Sequence, residues 1–226
     1  MGLSRHIVSG PTGPLVRVWA AECDSRTDFS SIASVNPGIG FARIGGTTTM
    51  HLRGPATRAS TLSCPQDTEY FGVDFRLGAY LPMFPPVRLA NLNDAVLPTL
   101  PDGRILLDGR VWEMPTPTNV DVFVDRLERA GLLVFDPLIE ELRHGSALPE
   151  RTAQSRFIRA VGLSRRKLQV IERARRAARQ LRAGAAIAEV VFDAGYHDQP
   201  HLTRSLRELL GYTPGEVVRG DMFLDL

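Results

Sequence analysis

The first half of the chain alternates short extended runs with glycine- and proline-containing turns. Residues 15–20 and 47–52 are two such runs. Apolar and polar side chains alternate over residues 71–77, and this period of two places one face of a strand against a core. Regularly spaced short strands predict a small β-sandwich or barrel, which we assign to residues 1–115.

The apolar spacing changes to that of a helix near residue 118. A stripe with steps of three and four residues runs from Val120 to Leu127, and it predicts a linker helix within residues 116–135. Every later segment has the helical pattern. The predicted fold class is therefore α+β, with a β-rich domain followed by an all-α domain over residues 136–226.

Two helix-turn-helix units joined by one connecting helix are predicted in the all-α domain. Ala153 and Phe157 face inward on the second helix of the first unit, and Leu202 and Leu206 do so on the second helix of the second unit. A last short helix begins with a threonine cap and a proline. The predicted helices cover residues 136–144, 149–160, 165–182, 187–194, 199–210 and a short segment from 213.

The charge of the chain is concentrated in one segment. The whole chain has a formal net charge of +2, but residues 143–182 hold twelve arginine and lysine side chains against two glutamates. Such segregation indicates a polyanionic partner, and a solvated helical face is the alternative. The connecting helix carries most of these arginines.

The second unit has the sequence pattern of a known family. Residues 192–214 read FDAGYHDQPHLTRSLRELLGYTP. This run resembles the second-unit signature of AraC/XylS-type transcription regulators, and residues 151–164 are similar to the first-unit segment of the same family. The chain departs from the family pattern at Pro149, where a capping serine is usual, and at Ala153, where leucine is usual. The resemblance covers roughly residues 136–219.

The resemblance implies a sequence-specific DNA-binding regulator whose second helix in each unit enters a major groove. Arginine pairs with guanine, glutamine pairs with adenine, and a threonine methyl can touch a thymine methyl. Outward-facing residues of these two helices are therefore expected to contact bases, and basic residues around them to contact phosphates. The expected base contacts are Arg151, Gln154, Ser155, Gln199, Pro200, Thr203 and Arg204. The expected phosphate contacts are Arg156, Arg159, Arg165, Arg166, Lys167, Arg207 and Thr213.

The β-rich domain resembles the family's sensor domains only in its position and its strands. We expect it to sense a small molecule or to mediate dimerisation. A cluster of aromatic residues is the candidate effector pocket, and an ordinary hydrophobic core is the alternative for the same side chains. The cluster consists of Trp19, Phe41, Tyr70, Phe71, Phe75 and Tyr80.

Candidate metal and catalytic residues are sparse. Cys23 and Cys64 lack C-x-x-C spacing; with His6 or His51 they could form a zinc or thiol site, and ordinary buried thiols are the alternative. His201 lies four residues after His197, but the glutamate of an H-E-x-x-H site is missing, which favours a structural role. We therefore predict no catalytic residue, no metal and no cofactor.

The remaining expectations concern location and partners. Two cysteines cannot form a disulfide scaffold, no apolar run is long enough to span a membrane, and the first residues lack a secretion signal. We expect a cytoplasmic bacterial protein that binds promoter DNA, responds to a small-molecule effector or forms a homodimer, and contacts RNA polymerase. The alternatives are a cupin-like barrel enzyme with an appended helical domain, and a helical domain that binds another protein.

Overall fold

The computed structural model describes residues 3–9, 13–92, 95–145 and 148–220. The chain forms two compact units that alternate along the sequence. The first unit consists of the residues up to Thr27 together with Asn36–Pro55 and Cys64–Ser164. The second unit consists of Asp28–Val35, Ala56–Ser63 and the residues from Arg165 on. The predicted boundaries near residues 115 and 135 remain predictions.

The described strands lie in the first two thirds of the chain. Six strands form one antiparallel sheet in the order β1-β2-β7-β4-β5-β9. Three further two-stranded sheets pair β10 with β11, β12 with β8, and β3 with β6. The strands are β1 Leu3–Ser9, β2 Leu15–Cys23, β3 Thr27–Ser31, β4 Gly38–Ile44, β5 Thr47–Arg53, β6 Ser60–Cys64, β7 Thr68–Phe75, β8 Ala79–Tyr80, β9 Ala95–Leu97, β10 Ile105–Leu107, β11 Arg110–Trp112 and β12 Val134–Phe135.

The described helices follow the sheet, apart from one short helix near Pro86. The predicted fold class is confirmed, because an antiparallel sheet region precedes a helical region. The short helix α1 was not predicted. The helices are α1 Pro86–Leu89, α2 Val120–Arg129, α3 Leu138–His144, α4 Glu150–Val161, α5 Arg165–Arg182, α6 Ile187–Asp193, α7 Gln199–Leu210 and α8 Pro214–Arg219.

An aromatic cluster forms the centre of the first unit's core. The rings of Phe41 and Phe71 stack with centroids 4.7 Å apart, and Phe123 of α2 meets Phe41 edge-on at 6.1 Å. Phe123 also lies 5.9 Å from Trp112. The apolar stripe predicted from Val120 to Leu127 is fully buried here. The helix predicted as a linker is thus part of this core.

The opposite face of β7 is also buried, which the alternation over residues 71–77 did not indicate. Asp74 is only 4% exposed. It accepts a hydrogen bond from Nε of Arg17 at 2.5 Å and one from Nε1 of Trp19 at 3.3 Å, and it forms an ion pair with Arg53. The guanidinium of Arg53 lies 5.1 Å from the centre of the Trp19 ring. Gly72 makes room for this ring, because a Cβ there would lie 2.8 Å from it.

Candidate nucleic-acid interface

Helix α7 has a defined position at both ends. The side chain of Asp198 accepts a hydrogen bond from the backbone N–H of His201 at 2.7 Å, which caps the N-terminus. Gly211 ends the helix in the left-handed region with φ of 82°, where a side chain would be strained. The observed helix has the predicted bounds, residues 199–210. The start and the end of α7 are therefore fixed by local sequence.

One face of α7 is buried and the other is exposed. The leucines at positions 202, 206 and 209 are at most 1% exposed. Thr203 is half-buried, and its hydroxyl donates to the carbonyl of Gln199 at 2.9 Å. The other residues predicted to contact DNA from this helix are all exposed, namely Gln199, Pro200, Arg204 and Arg207.

Tyr196 connects the turn before α7 to its neighbours. Its ring lies beneath the guanidinium of Arg173 at 4.6 Å, and its hydroxyl is 3.1 Å from that of Ser205. The His201 ring meets the Tyr196 ring edge-on at 5.1 Å, and its Nδ1 accepts the backbone N–H of His197 at 3.3 Å. His201 thus has the structural role that was predicted. The sequence analysis did not identify the stacking of Arg173 on Tyr196.

Helix α4, the second helix of the first predicted helix-turn-helix, presents a comparable polar face. Ala153 and Phe157 are buried, and α4 packs against α1 and β8. Pro149 holds the N-cap position without a side-chain hydrogen bond, as expected where a capping serine is replaced. The outward residues predicted from the sequence, Arg151, Gln154, Ser155 and Arg159, are all exposed.

Arg156 has a structural partner in the same unit. Its Nε donates to Oδ2 of Asp136 at 2.6 Å, and its NH2 group donates to Oδ1 at 2.8 Å. This pair holds the pKa of Asp136 below its ordinary value, with the hydrogen bonds from Arg156 as the main cause. The predicted phosphate contact of Arg156 remains a prediction, and it would have to compete with this carboxylate.

Replacing Asp136 with asparagine is expected to lower the stability of the first compact unit by about 1 kcal/mol, which is below the usual range for a charged hydrogen bond because solvent screens the partly exposed Arg156. The carboxylate stabilises the fold above its unfolded pKa, and this contribution is lost as the pH falls through the depressed folded pKa. Urea unfolding at pH 7 and pH 3 measures both effects. The exposed Asp125→Asn variant is the control. A deficit for Asp136→Asn that is equal at both pH values would contradict this account.

Some basic residues of the connecting helix α5 are exposed, and others are half-buried or have a partner within the protein. Arg166, Arg176, Arg179 and Arg182 are exposed, which suits contact with a polyanion. Arg165 and Lys167 are half-buried, and Nζ of Lys167 lies 3.4 Å from the carboxylate of Glu208. Of the three phosphate contacts predicted on this helix, Arg166 is exposed, whereas Arg165 and Lys167 are half-buried.

Thr213 caps helix α8 as predicted. Its hydroxyl and its backbone N–H both lie 2.7 Å from Oε2 of Glu216, and the Glu216 N–H donates back to the hydroxyl at 3.3 Å. The backbone and hydroxyl hydrogen bonds from Thr213 lower the pKa of Glu216. A phosphate at Thr213 would meet this carboxylate, so its predicted phosphate contact has a competitor within the chain.

The six aromatic residues proposed as a pocket are distributed over several environments. Phe41, Phe71 and Phe75 pack in the core, which was the alternative considered, and Trp19 belongs to the Asp74 cluster. Phe75 and Tyr80 line a cavity of about 10 Å³, room for roughly one water molecule. The effector pocket remains a prediction.

The two cysteines are buried close together. The Cys23 thiol donates to the carbonyl of Cys64 at 3.7 Å, and burial raises the pKa of Cys64 to about 12. Tyr70 lies beside them, and burial raises its pKa as well. His51 forms a hydrogen bond with Thr49 at 2.8 Å, and the side chain of His6 lies outside the described residues. The described part of the chain holds no cluster of three or more potential metal ligands.

Comparison with known proteins identifies the helical region. A family model described as a helix-turn-helix domain matches residues 146–220. Searches of curated proteins and of solved structures found no match. None of the described helices is long and apolar enough to cross a membrane. With its exposed polar faces on α4 and α7 and its basic α5, the helical region defines a DNA-binding transcription regulator. This match supports the predicted resemblance of the C-terminal region to the helix-turn-helix domain of AraC/XylS-type regulators.

Proposed function

We propose that the protein regulates transcription by binding a specific promoter sequence through α4 and α7. The exposed polar face of α7 is the observation that carries this proposal. Gln199, Pro200 and Arg204 lie on the surface of a helix whose opposite face is packed and whose ends are capped. A rigid helix with exposed arginine and glutamine side chains is suited to reading base edges.

In this proposal, α4 of the first helix-turn-helix supplies a second surface that contacts bases. Arg151, Gln154 and Ser155 form the exposed face of α4, which is fixed by its contacts with α1 and β8. Phosphate contacts by the exposed Arg159, Arg166 and Arg207 would orient the protein on the duplex without adding sequence information. Sequence specificity would then come from the two helices together.

The N-terminal half would control DNA binding in response to a small molecule, by dimerisation, or by both. Such control requires an effector that binds two arrangements of the protein with different affinities. The protein would act in the bacterial cytoplasm and would contact RNA polymerase at the promoter. Among the described residues, no feature favours the alternative of a barrel enzyme.

A fluorescence anisotropy titration tests this proposal. The full chain is titrated against the DNA upstream of its own gene and against a scrambled duplex of equal length at about 150 mM salt. Binding to the genuine fragment that is tighter by roughly 10³-fold or more would support a sequence-specific regulator. The proposal would be overturned if the chain binds the upstream DNA and a pool of duplexes selected from the whole genome with the same weak affinity.

Replacing Arg204 with alanine is expected to weaken binding to the target sequence by roughly 5- to 150-fold, because one bidentate contact to a base contributes about 1–3 kcal/mol of discrimination. Binding to scrambled DNA should change little. Arg207→Ala, one turn further along the same exposed face, is the matched control and should weaken both complexes alike. An equal loss on both duplexes for Arg204→Ala would show that Arg204 contacts phosphate.

A further inference from the structure

Two short segments from the N-terminal half of the sequence belong to the same compact unit as α5–α8. These segments are Asp28–Val35 and Ala56–Ser63. They pair with each other, because Ser34 and Ala56 exchange backbone hydrogen bonds of 3.0 and 2.9 Å. Ala33 is fully buried. We refer to them together as the capping segments.

The capping segments form hydrogen bonds with the C-terminal end of α7. The N–H of Ala33 donates to the carbonyl of Leu209 at 2.7 Å, and the N–H of Ala59 donates to the carbonyl of Glu208 at 2.9 Å. The last four carbonyls of a helix have no partner within it. Two of these four in α7 are thus satisfied by residues far away in the sequence, rather than by the turn that follows.

Side-chain packing reinforces this contact. NH1 of Arg175 in α5 donates to the carbonyl of Ala33 at 3.2 Å. A Cβ on Gly211, the residue that ends α7, would lie 3.0 Å from Oγ of Ser30 and 3.4 Å from Cβ of Ala59. The capping segments therefore contact α7 closely on its last turn and are held from α5 as well.

The capping segments are continuous with the central strands of the large sheet. Asp28–Val35 lies between β2 and β4 along the chain, and Ala56–Ser63 lies between β5 and β7. All four strands belong to the six-stranded sheet. The chain thus links these strands covalently to the segments that bond to the end of α7.

We propose that the capping segments position α7 for base reading, and that the N-terminal half regulates DNA binding through them. This inference rests on the proposed function, because it assigns a regulatory route to the helix that reads the bases. Arg175 is a positioning residue in this arrangement, since it acts on α7 through Ala33. Any coupling of this kind is reciprocal, so DNA bound to α7 must also stabilise the capping segments.

Arg175→Gln and Arg176→Gln form a matched pair that tests the positioning role. Each variant removes one positive charge from α5, but only Arg175 bonds to Ala33, while Arg176 is exposed. Arg176→Gln should weaken binding to target and scrambled DNA alike. Arg175→Gln should in addition lower the ratio of the two affinities by about 5- to 150-fold, the usual range of coupling between sites.

Hydrogen exchange in the unaltered full chain gives a test that does not depend on the folding of a variant. Target DNA should slow the exchange of the Ala33 and Ala59 amides, while the amide of Leu100, which bonds to Arg104 in the other compact unit, serves as the control. The inference would be overturned if the chain binds target DNA tightly and specifically, exchange at both alanines is unchanged, and both arginine variants keep the same ratio of affinities for target and scrambled DNA. The proposed function would remain intact in that case. Failure to distinguish target from scrambled DNA would overturn both.

Discussion

Raising the salt concentration from 50 to 200 mM is expected to weaken DNA binding by roughly 10³- to 10⁵-fold, if six to ten phosphates are contacted. Each phosphate neutralised by a basic side chain releases condensed counterions, and added salt opposes that release. The chain supplies enough basic groups, since residues 143–182 hold twelve of them and Arg159, Arg166, Arg176 and Arg179 are among those exposed. Anisotropy titrations of one duplex at several salt concentrations give the slope of log affinity against log salt.

A single substitution tests whether a particular arginine contributes to this slope. Arg166→Gln should reduce its magnitude by about one if Arg166 contacts a phosphate. Arg88→Gln, which removes an exposed arginine from the first unit's α1, is the control and should leave the slope unchanged. A slope near zero for the unaltered chain would mean that the basic segment does not lie on the DNA backbone.

Replacing Asp74 with alanine is expected to destabilise the first unit by roughly 3 kcal/mol, which is more than a hundredfold in its folding equilibrium. The substitution leaves the guanidinium groups of Arg17 and Arg53 without the carboxylate that pairs with both, in a place where Asp74 itself is almost fully buried. We use the lower end of the range for a broken buried ion pair because both arginines retain some exposure.

Urea unfolding followed by tryptophan fluorescence measures this effect directly. The chain has two tryptophans, Trp19 beside Asp74 and Trp112 in the aromatic core, and both report on the first unit. Glu69→Ala is the matched control, because it breaks a cross-strand ion pair with Arg43 in the same sheet, where both side chains are about half exposed. That control should cost less than about 1 kcal/mol. Similar losses for the two variants would contradict a special role for the Asp74 cluster.

The helical region was predictable because its signals are local. The N-caps Asp198 and Thr213 and the stop at Gly211 each act within one turn of the helix they bound, so sequence order alone defines them. The buried leucines of α7 follow the same three- and four-residue spacing. The exposed face of α7 then follows by elimination, as the residues that these constraints leave on the surface.

The contacts that hold these helices in place were not predictable in the same way. Arg156 meets Asp136 across a turn, Arg173 covers Tyr196, and Arg175 reaches Ala33 from far along the chain. A basic residue on a helical surface has the same local pattern whether it faces solvent, a carboxylate or a phosphate. Only the folded chain distinguishes these partners, and it does so residue by residue within a single run of arginines.

The β-rich half shows the same limit of local patterns. Alternation in β7 correctly predicted that Phe71, Val73 and Phe75 face a core, but the polar alternates suggested a solvated second face. Asp74 is buried there because two arginines and a tryptophan from other strands surround it. An isolated aspartate in a strand carries no sign of such partners in its own neighbourhood.

The capping segments have a consequence for the synthesis of the protein. Both segments leave the ribosome before residue 64, whereas α7 begins at Gln199, so more than half the chain must be made before their partner exists. At ordinary rates of translation this interval is on the order of ten seconds. During it, the backbone N–H groups of Ala33 and Ala59 lack the α7 carbonyls that accept them in the folded chain. The second unit can therefore form only after its last helices have been made, and ribosomes that stall before α7 are expected to leave products in which this unit is unfolded.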